Sequence, residues 1–156
     1  MTGPAWPRGL DPAGAPVYTR NELTVAADPE SVWAALVDAQ RWPDWYRNAR
    51  DVRVEGGGPL TDGAVFRWTT FGVRVRCVVD RWEPGHLLGW TGAALGSRGH
   101  HRWILRPAAA GGTHVVTEEV QVGLLPTVGR RWLRRGLLTW HQRWLDGLHL
   151  PPAGGC

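Results

Sequence analysis

Residues 126–149, PTVGRRWLRRGLLTWHQRWLDGLH, decide the fold. Leu133, Leu137, Leu138, Trp140, Trp144, Leu145 and Leu148 recur at helical spacing. At about 100° per residue they fill one broad face. His141 falls near the middle of that face, and Arg134 projects toward it one turn before Leu138. Arg135, Thr139, Gln142 and Asp146 take the opposite side. A helix of about 22 residues with so wide an apolar face must be covered by something large. The chain before it supplies the cover, a run of short strands separated by Gly and Pro.

Those strands can be read in order. Val17 to Val25 is the first, with Thr19, Asn21, Leu23 and Val25 on one face. Asp28-Pro29-Glu30 starts a helix, Asp28 capping it and Pro29 taking its first position. That helix runs to about Asp38 and packs through Val32, Trp33, Leu36 and Val37. Arg41 to Tyr46 makes a second short helix or turn, with Pro43 confined to its first turn. Val52 and Val54 lie on a strand, and Ala64 to Phe71 is another, with Phe66 and Trp68 together. Val73, Val75, Cys77 and Val79 alternate with Arg74, Arg76, Val78 and Asp80, the period-2 pattern of a half-buried strand. Leu88 and Trp90 share a face. Ser97 to Pro107 sets His101, Trp103 and Leu105 against Arg102, Ile104 and Arg106. Thr113 to Gly123 sets Val115, Thr117, Glu119 and Gln121 against His114, Val116, Glu118 and Val120, and either side can be the inner one. Hairpin-linked strands imply an antiparallel sheet. The fold class is α+β: a curved antiparallel sheet wrapped around a long C-terminal helix, with two short helices near the N-terminus.

A chain of 156 residues suits one domain with one core. We place that domain at 17–150, with a disordered, Pro- and Gly-rich tail over 1–16 and a flexible tail over 151–156. No apolar run approaches the roughly 18 residues of a membrane span, and the N-terminus has no apolar signal core. A cytoplasmic protein without integral membrane association is expected. Cys77 in a strand and Cys156 at the end read as free thiols. All 18 basic side chains are arginine, which excludes Schiff-base chemistry on a side-chain amine. The net charge of +4 admits anionic partners without requiring them.

Several motifs resemble a known superfamily. Val25-Ala26-Ala27-Asp28-Pro29-Glu30-Ser31-Val32-Trp33 looks like its opening signature, and Asp38 with Trp42-Pro43-Asp44-Trp45 like its next block. Leu88-Gly89-Trp90, His101-Arg102-Trp103, and Gly112-Thr113 leading to Glu119 and Gly123 are similar to later strands. Trp144-Leu145-Asp146-Gly147-Leu148 resembles the end of the closing helix. The chain thus resembles the START-like, helix-grip superfamily, and within it the polyketide cyclase/dehydrase family. The resemblance covers about 17–150 and implies a ligand cavity between sheet and helix. Its members include cyclases, dehydratases and lipid carriers, so the activity stays open. Gln121 stands where an aromatic residue is common in the family, which makes one side of the cavity more polar.

A mostly apolar pocket with a few placed polar groups is the expectation. Trp68, Trp90 and Trp103 offer flat walls, each with an indole N–H to donate. His101, Glu119, Gln121, Arg134 and His141 are the polar candidates, and Tyr46 is placed to close the mouth. His101 and Glu119 on successive strands form a candidate catalytic pair, since a carboxylate beside an imidazole tunes its pKa and sets its tautomer. Such a pair abstracts a proton next to a ketone or protonates a leaving hydroxyl, the steps of cyclisation and dehydration. It serves equally as a satisfied polar pair bracing the core. Arg134 either binds an anionic group or snorkels to water.

The run Arg130-Arg131-Trp132-Leu133-Arg134-Arg135 is unusual at a helix N-terminus, where the macrodipole disfavours cations. It reads either as arginine enrichment across the chain or as an attractor for an anionic ligand, a carrier-protein phosphate or an acidic membrane. No basic stripe interleaved with exposed aromatics suggests nucleic-acid binding. No metal is expected: His100 and His101 are adjacent on a strand and point apart, and there is no Cys-x-x-Cys. No nucleotide cofactor is indicated, because no phosphate-cradling glycine motif follows a strand. The partner expected is therefore a hydrophobic small molecule, polyketide, aromatic or lipid-like, either turned over by His-Glu chemistry or carried unchanged. A homodimer is left open.

Overall fold

The structure is a computed structural model that describes residues 5–148. Local chemistry starts its first helix as the sequence predicts. The Asp28 carboxylate accepts from the Ser31 backbone N–H at 2.9 Å and from the Ser31 hydroxyl at 2.7 Å. Pro29 opens α1 (Pro29–Val37), whose Val32 and Leu36 are buried. A 3₁₀ turn, Ala39–Arg41, leads into the one-turn helix α2 (Trp42–Trp45).

Seven strands form one antiparallel sheet: β1 (Val17–Val25), β2 (Arg50–Val54), β3 (Val65–Thr70), β4 (Val73–Glu83), β5 (Leu87–Ala94), β6 (Ser97–Pro107) and β7 (Thr113–Gly123). Their order is β1-β7-β6-β5-β4-β3-β2, so the last strand pairs with the first and the rest follow as hairpins. The register shifts between Arg50 and Arg53 and between Val79 and Arg81. Irregularities of this kind bend a sheet and add twist, and this sheet curves around a helix. Its inner face carries the side chains that alternation selected, including Cys77, Val79, His101, Trp103, Leu105 and Val115. Cys77 is a free buried thiol, pushed up to about 12 by burial. The pairing settles the face that β7 turns inward. It carries Val115, Thr117, Glu119 and Gln121, because Glu119 lies opposite His101 in the register.

The closing helix is shorter than the periodicity suggests. Gly129 divides the stretch into α3 (Leu124–Val128) and α4 (Arg130–Gly147). The Gly129 N–H ends α3 on the Leu125 carbonyl, and the Gly129 carbonyl accepts from Leu133 to begin α4, both at 2.9 Å. The 18 residues of α4 bury Leu137, His141, Trp144 and Leu145. The helix lies against β1, where the Asn21 amide donates to the Leu138 carbonyl at 3.1 Å. Its C-terminal end sits close to α2. A Cβ at Gly147 would stand 2.8 Å from the Trp45 ring, so only glycine permits that approach.

The N-terminal stretch corrects an expectation. Residues 5–16 were expected to be disordered, yet they pack on the outer face of the sheet. The Trp6 ring covers the Arg102 guanidinium at 3.7 Å and meets Tyr18 and His100 edge-on. Leu10 is fully buried. Pro and Gly announce only the lack of a regular element. They do not cancel the apolar surface of Trp6 and Leu10, which finds a place to bury. Beneath the strap, Glu118 accepts from Arg102 at 2.7 Å and from the Tyr18 hydroxyl. Residues 1–4 and 149–156 lie outside the described residues, and with them the expected C-terminal tail and Cys156.

Candidate functional site

Between the inner sheet face and α4 lies a cavity of about 150 Å³. Its floor is aromatic. Trp42, Trp68, Trp90, Trp103 and Trp144 stack into one pile with Phe66, their ring centroids mostly 5–6 Å apart. Tyr46 lies flat on Trp144 at 4.4 Å with the planes 2° apart. Of these rings, Tyr46, Trp68, Trp90 and Trp144 reach the cavity wall. Trp103, expected to be a wall, does not; it is fully buried beneath His101 and Trp144. Its position in the strand gave it the right face, but it lies a layer too deep.

The polar end of the cavity is built by β6, β7 and α4 together. The Glu119 Oε2 atom accepts from His101 Nδ1 and from His141 Nε2, both at 3.0 Å. Glu119 Oε1 accepts from the Gln121 amide, whose own oxygen accepts from the Ser97 hydroxyl at 3.2 Å. The outer nitrogens of both imidazoles are engaged as well. His101 Nε2 lies 2.8 Å from the Thr117 hydroxyl and His141 Nδ1 lies 3.4 Å from the Thr19 hydroxyl. One arrangement of protons satisfies all of this: each ring donates to the carboxylate and accepts from a threonine.

The electrostatics agree with that assignment. Burial pulls His101 down to about 4, against the opposing pull of the Glu119 hydrogen bond, so the ring is neutral near pH 7. Burial alone would raise the Glu119 carboxyl. The hydrogen bonds from His101 and His141 outweigh it and hold the carboxyl well below the usual carboxylate range. The cavity therefore ends in an ionised carboxylate clasped by two imidazoles and an amide.

Sequence reasoning paired His101 with Glu119 and treated His141 separately; the structure joins all three. Helix and sheet approach each other here only in three dimensions, so spacing along the chain carries no signal of it. The donor atoms of His101, Glu119 and His141 lie within 4.8 Å of one another, a ligand set that local motifs did not suggest. The threonine partners were also missed, although Thr117 sits two residues from Glu119 on the same face.

Arg134 is a further correction. It shares a helical face with His141 but lies two turns earlier, and its side chain is exposed. It is not among the residues that line the cavity. Helical phase gave its direction correctly, but the first turns of α4 run past the part of the sheet that would bury it. At that end the cavity is lined by Phe71, Leu95, Leu125 and Leu133, and the first three of these are exposed.

The family model described as polyketide cyclase/dehydrase and lipid transport matches residues 18–148. No curated protein sequence matches significantly. Among solved structures, the hypothetical protein jhp0584 from Helicobacter pylori superposes with a TM-score of 0.85 at 26% identity, covering 95% of each chain. The Zhui aromatase/cyclase from Streptomyces sp. R1128 gives 0.70 at 17% identity, over 85% of this chain and 90% of its own. The di-domain aromatase/cyclase StfQ, from the steffimycin biosynthetic pathway, gives 0.70 at 19% identity, over 85% of this chain and 49% of its own. At these identities the two aromatase/cyclases share the fold.

Proposed function

The chain belongs to the polyketide cyclase/dehydrase and lipid transport family, and from that premise we propose that it binds a mostly apolar, ring-bearing small molecule between sheet and helix. One observation carries the reading: an indole-walled cavity that ends in an ionised carboxylate. The walls favour a flat apolar body. Glu119 favours a hydroxyl or other donor at the ligand's inner end, since an acceptor there would meet like charge. Trp144 adds a buried indole N–H group without a partner, which suits a carbonyl along the ligand's edge. A volume of about 150 Å³ holds roughly one aromatic ring. A larger ligand extends through the mouth or displaces its rim.

Carriage of the ligand unchanged is the reading that the hydrogen bonds favour over catalysis. His101 was expected to act as acid or base, with Glu119 orienting it and Arg134 or His141 as an oxyanion partner. Both nitrogens of His101 are committed, one to Glu119 and one to Thr117, so neither is free for a ligand. A carboxylate held so far below its usual range is a weak base. Cyclisation or dehydration keeps one observation in its favour, the carboxylate at the cavity wall. It predicts that His101→Ala abolishes turnover with the fold intact; unchanged turnover removes His101 from the chemistry.

Binding is tested by titrating the protein with 1-naphthol, a ring with a single hydroxyl, and following its fluorescence. Saturable one-site uptake is expected, and Ala94→Trp, which fills the cavity from β5, is expected to abolish it with the far-ultraviolet spectrum unchanged. No uptake by the wild-type protein, or equal uptake by Ala94→Trp, contradicts the reading. Native mass spectrometry of protein purified from its own host then identifies the natural occupant.

A further inference from the structure

We propose that the cavity-mouth end of the molecule docks on a lipid bilayer rich in anionic headgroups. The described residues include six large apolar side chains that are exposed: Phe71, Leu95, Leu124, Leu125, Val128 and Trp132. All six lie at one end, on the β3–β4 turn, the β5–β6 turn, α3 and the first turn of α4. Leu124, Val128 and Trp132 are 77%, 80% and 78% exposed. Single exposed apolar residues are ordinary, but a concentration at one end marks an interaction surface.

The two turns add an independent observation. Phe71 and Leu95 have φ of 50° and 49°, and each is followed by a glycine with positive φ, Gly72 and Gly96. These are two-residue hairpin turns whose first position normally takes Asn, Asp or Gly. A bulky residue there is strained. Two such turns side by side, each presenting an apolar side chain outward beside the cavity mouth, are what a bilayer-inserting rim requires. Polar turn residues would fold more easily.

Charge selects the bilayer over the alternatives. Arg130, Arg131, Arg134 and Arg135 are all exposed on the first turns of α4. Between Glu119 and Asp146 the chain has five arginines and no acidic residue. Glu119 is turned into the cavity, and Asp51, hydrogen-bonded to Thr69, is the acid that stands beside the turns. Cations at a helix N-terminus oppose its macrodipole, and an outside partner of negative charge offsets that cost. A second copy of this surface would bring like charges together. Apolar side chains ringed by arginines fit an acidic leaflet, the arginines meeting headgroups while Trp132 and the leucines reach the acyl boundary. The amphipathic surface then sits where exposed residues line the cavity, and a water-insoluble molecule passes between bilayer and cavity without crossing water.

The test is co-sedimentation of the ligand-free protein with vesicles of phosphatidylcholine alone and of an equimolar mixture with phosphatidylglycerol. Binding to the mixture is expected, weakened by salt and absent on phosphatidylcholine alone. Each arginine near an anionic surface is worth about fivefold in partitioning. Replacing Arg130, Arg131, Arg134 and Arg135 with Gln should therefore lower binding by at least about a hundredfold. Leu124→Ser with Trp132→Ser should weaken it with the arginines intact. Both variants alter exposed side chains, and an unchanged melting curve confirms the fold. Wild-type protein that ignores anionic vesicles overturns the proposal, as does a four-arginine variant that binds like wild type. If the protein ignores vesicles but binds an acidic carrier-type protein in a salt-sensitive way, the surface is a protein interface and the bilayer reading fails. Naphthol uptake is measured without vesicles, so failure of one reading leaves the other standing.

Discussion

At the scale of single residues, the buried imidazoles set how the protein responds to acid. Burial holds His101 at about 4 and His100, on the opposite face of β6, at about 3, against an ordinary value of 6.5. The unfolded chain therefore takes up protons below pH 6.5 that the folded chain refuses. Stability is complete above about pH 6.5 and falls as pH drops toward 4. Glu119, held below its ordinary 4.5, adds a loss of the same sign at still lower pH. Urea midpoints measured from pH 7.5 to 4 should fall steadily, and His101→Gln should flatten the slope; a flat wild-type profile contradicts the burial argument. Trp144 touches Tyr46, His101 and four other rings of the pile, so Trp144→Ala should cost about 3–5 kcal/mol in a denaturant titration. At this scale the sequence was legible in direction and blind in depth. Alternation placed Trp103 on the inner face correctly and left the face of Glu119 open, which the pairing with His101 decides. Whether an inward side chain meets the cavity or lies beneath it depends on the neighbouring strand and helix, and no local pattern encodes that.

At the scale of elements, capping and periodicity carried most of the reading. Asp28-Pro29 marks the start of α1, and all seven strands fall where alternation and turn residues put them. The long helix, read as about 22 residues from Pro126, is 18 residues long because Gly129 interrupts the backbone and α4 begins at Arg130. The β3–β4 and β5–β6 turns offer a test at this scale. Asn tolerates the left-handed region that Phe71 and Leu95 occupy. Leu95→Asn should raise stability by about 1 kcal/mol. For a chain of this size that is roughly 2–4 °C in melting temperature. A gain in stability with a loss of vesicle binding would mark a residue kept for function; a drop in melting temperature would show that the turn is not strained.

At the scale of the whole molecule, the helix-grip architecture was legible because its parts depend on one another. An amphipathic helix with a wide apolar face needs a large cover, and hairpin-linked strands supply a sheet that curves. Among the described residues no helix is long and apolar enough to cross a membrane. Composition hid the N-terminal strap, since Pro and Gly describe a backbone while Trp6 and Arg102 pair through their side chains. The cavity itself was inferred from the architecture, and its volume was not, because a void is what side chains leave unfilled. Ala94→Trp belongs at this scale: the overall shape should persist while uptake of a small aromatic molecule disappears.

The crowded rings beneath the cavity also make the molecule its own optical gauge. Indoles about 5 Å apart, held at fixed and unequal angles, absorb ultraviolet light as a coupled set. Their circular dichroism between the far and near ultraviolet should show a paired positive and negative band that no isolated tryptophan produces. Any occupant that wedges between Trp90 and Trp144 changes those angles. Colourless ligands can then be followed without a dye.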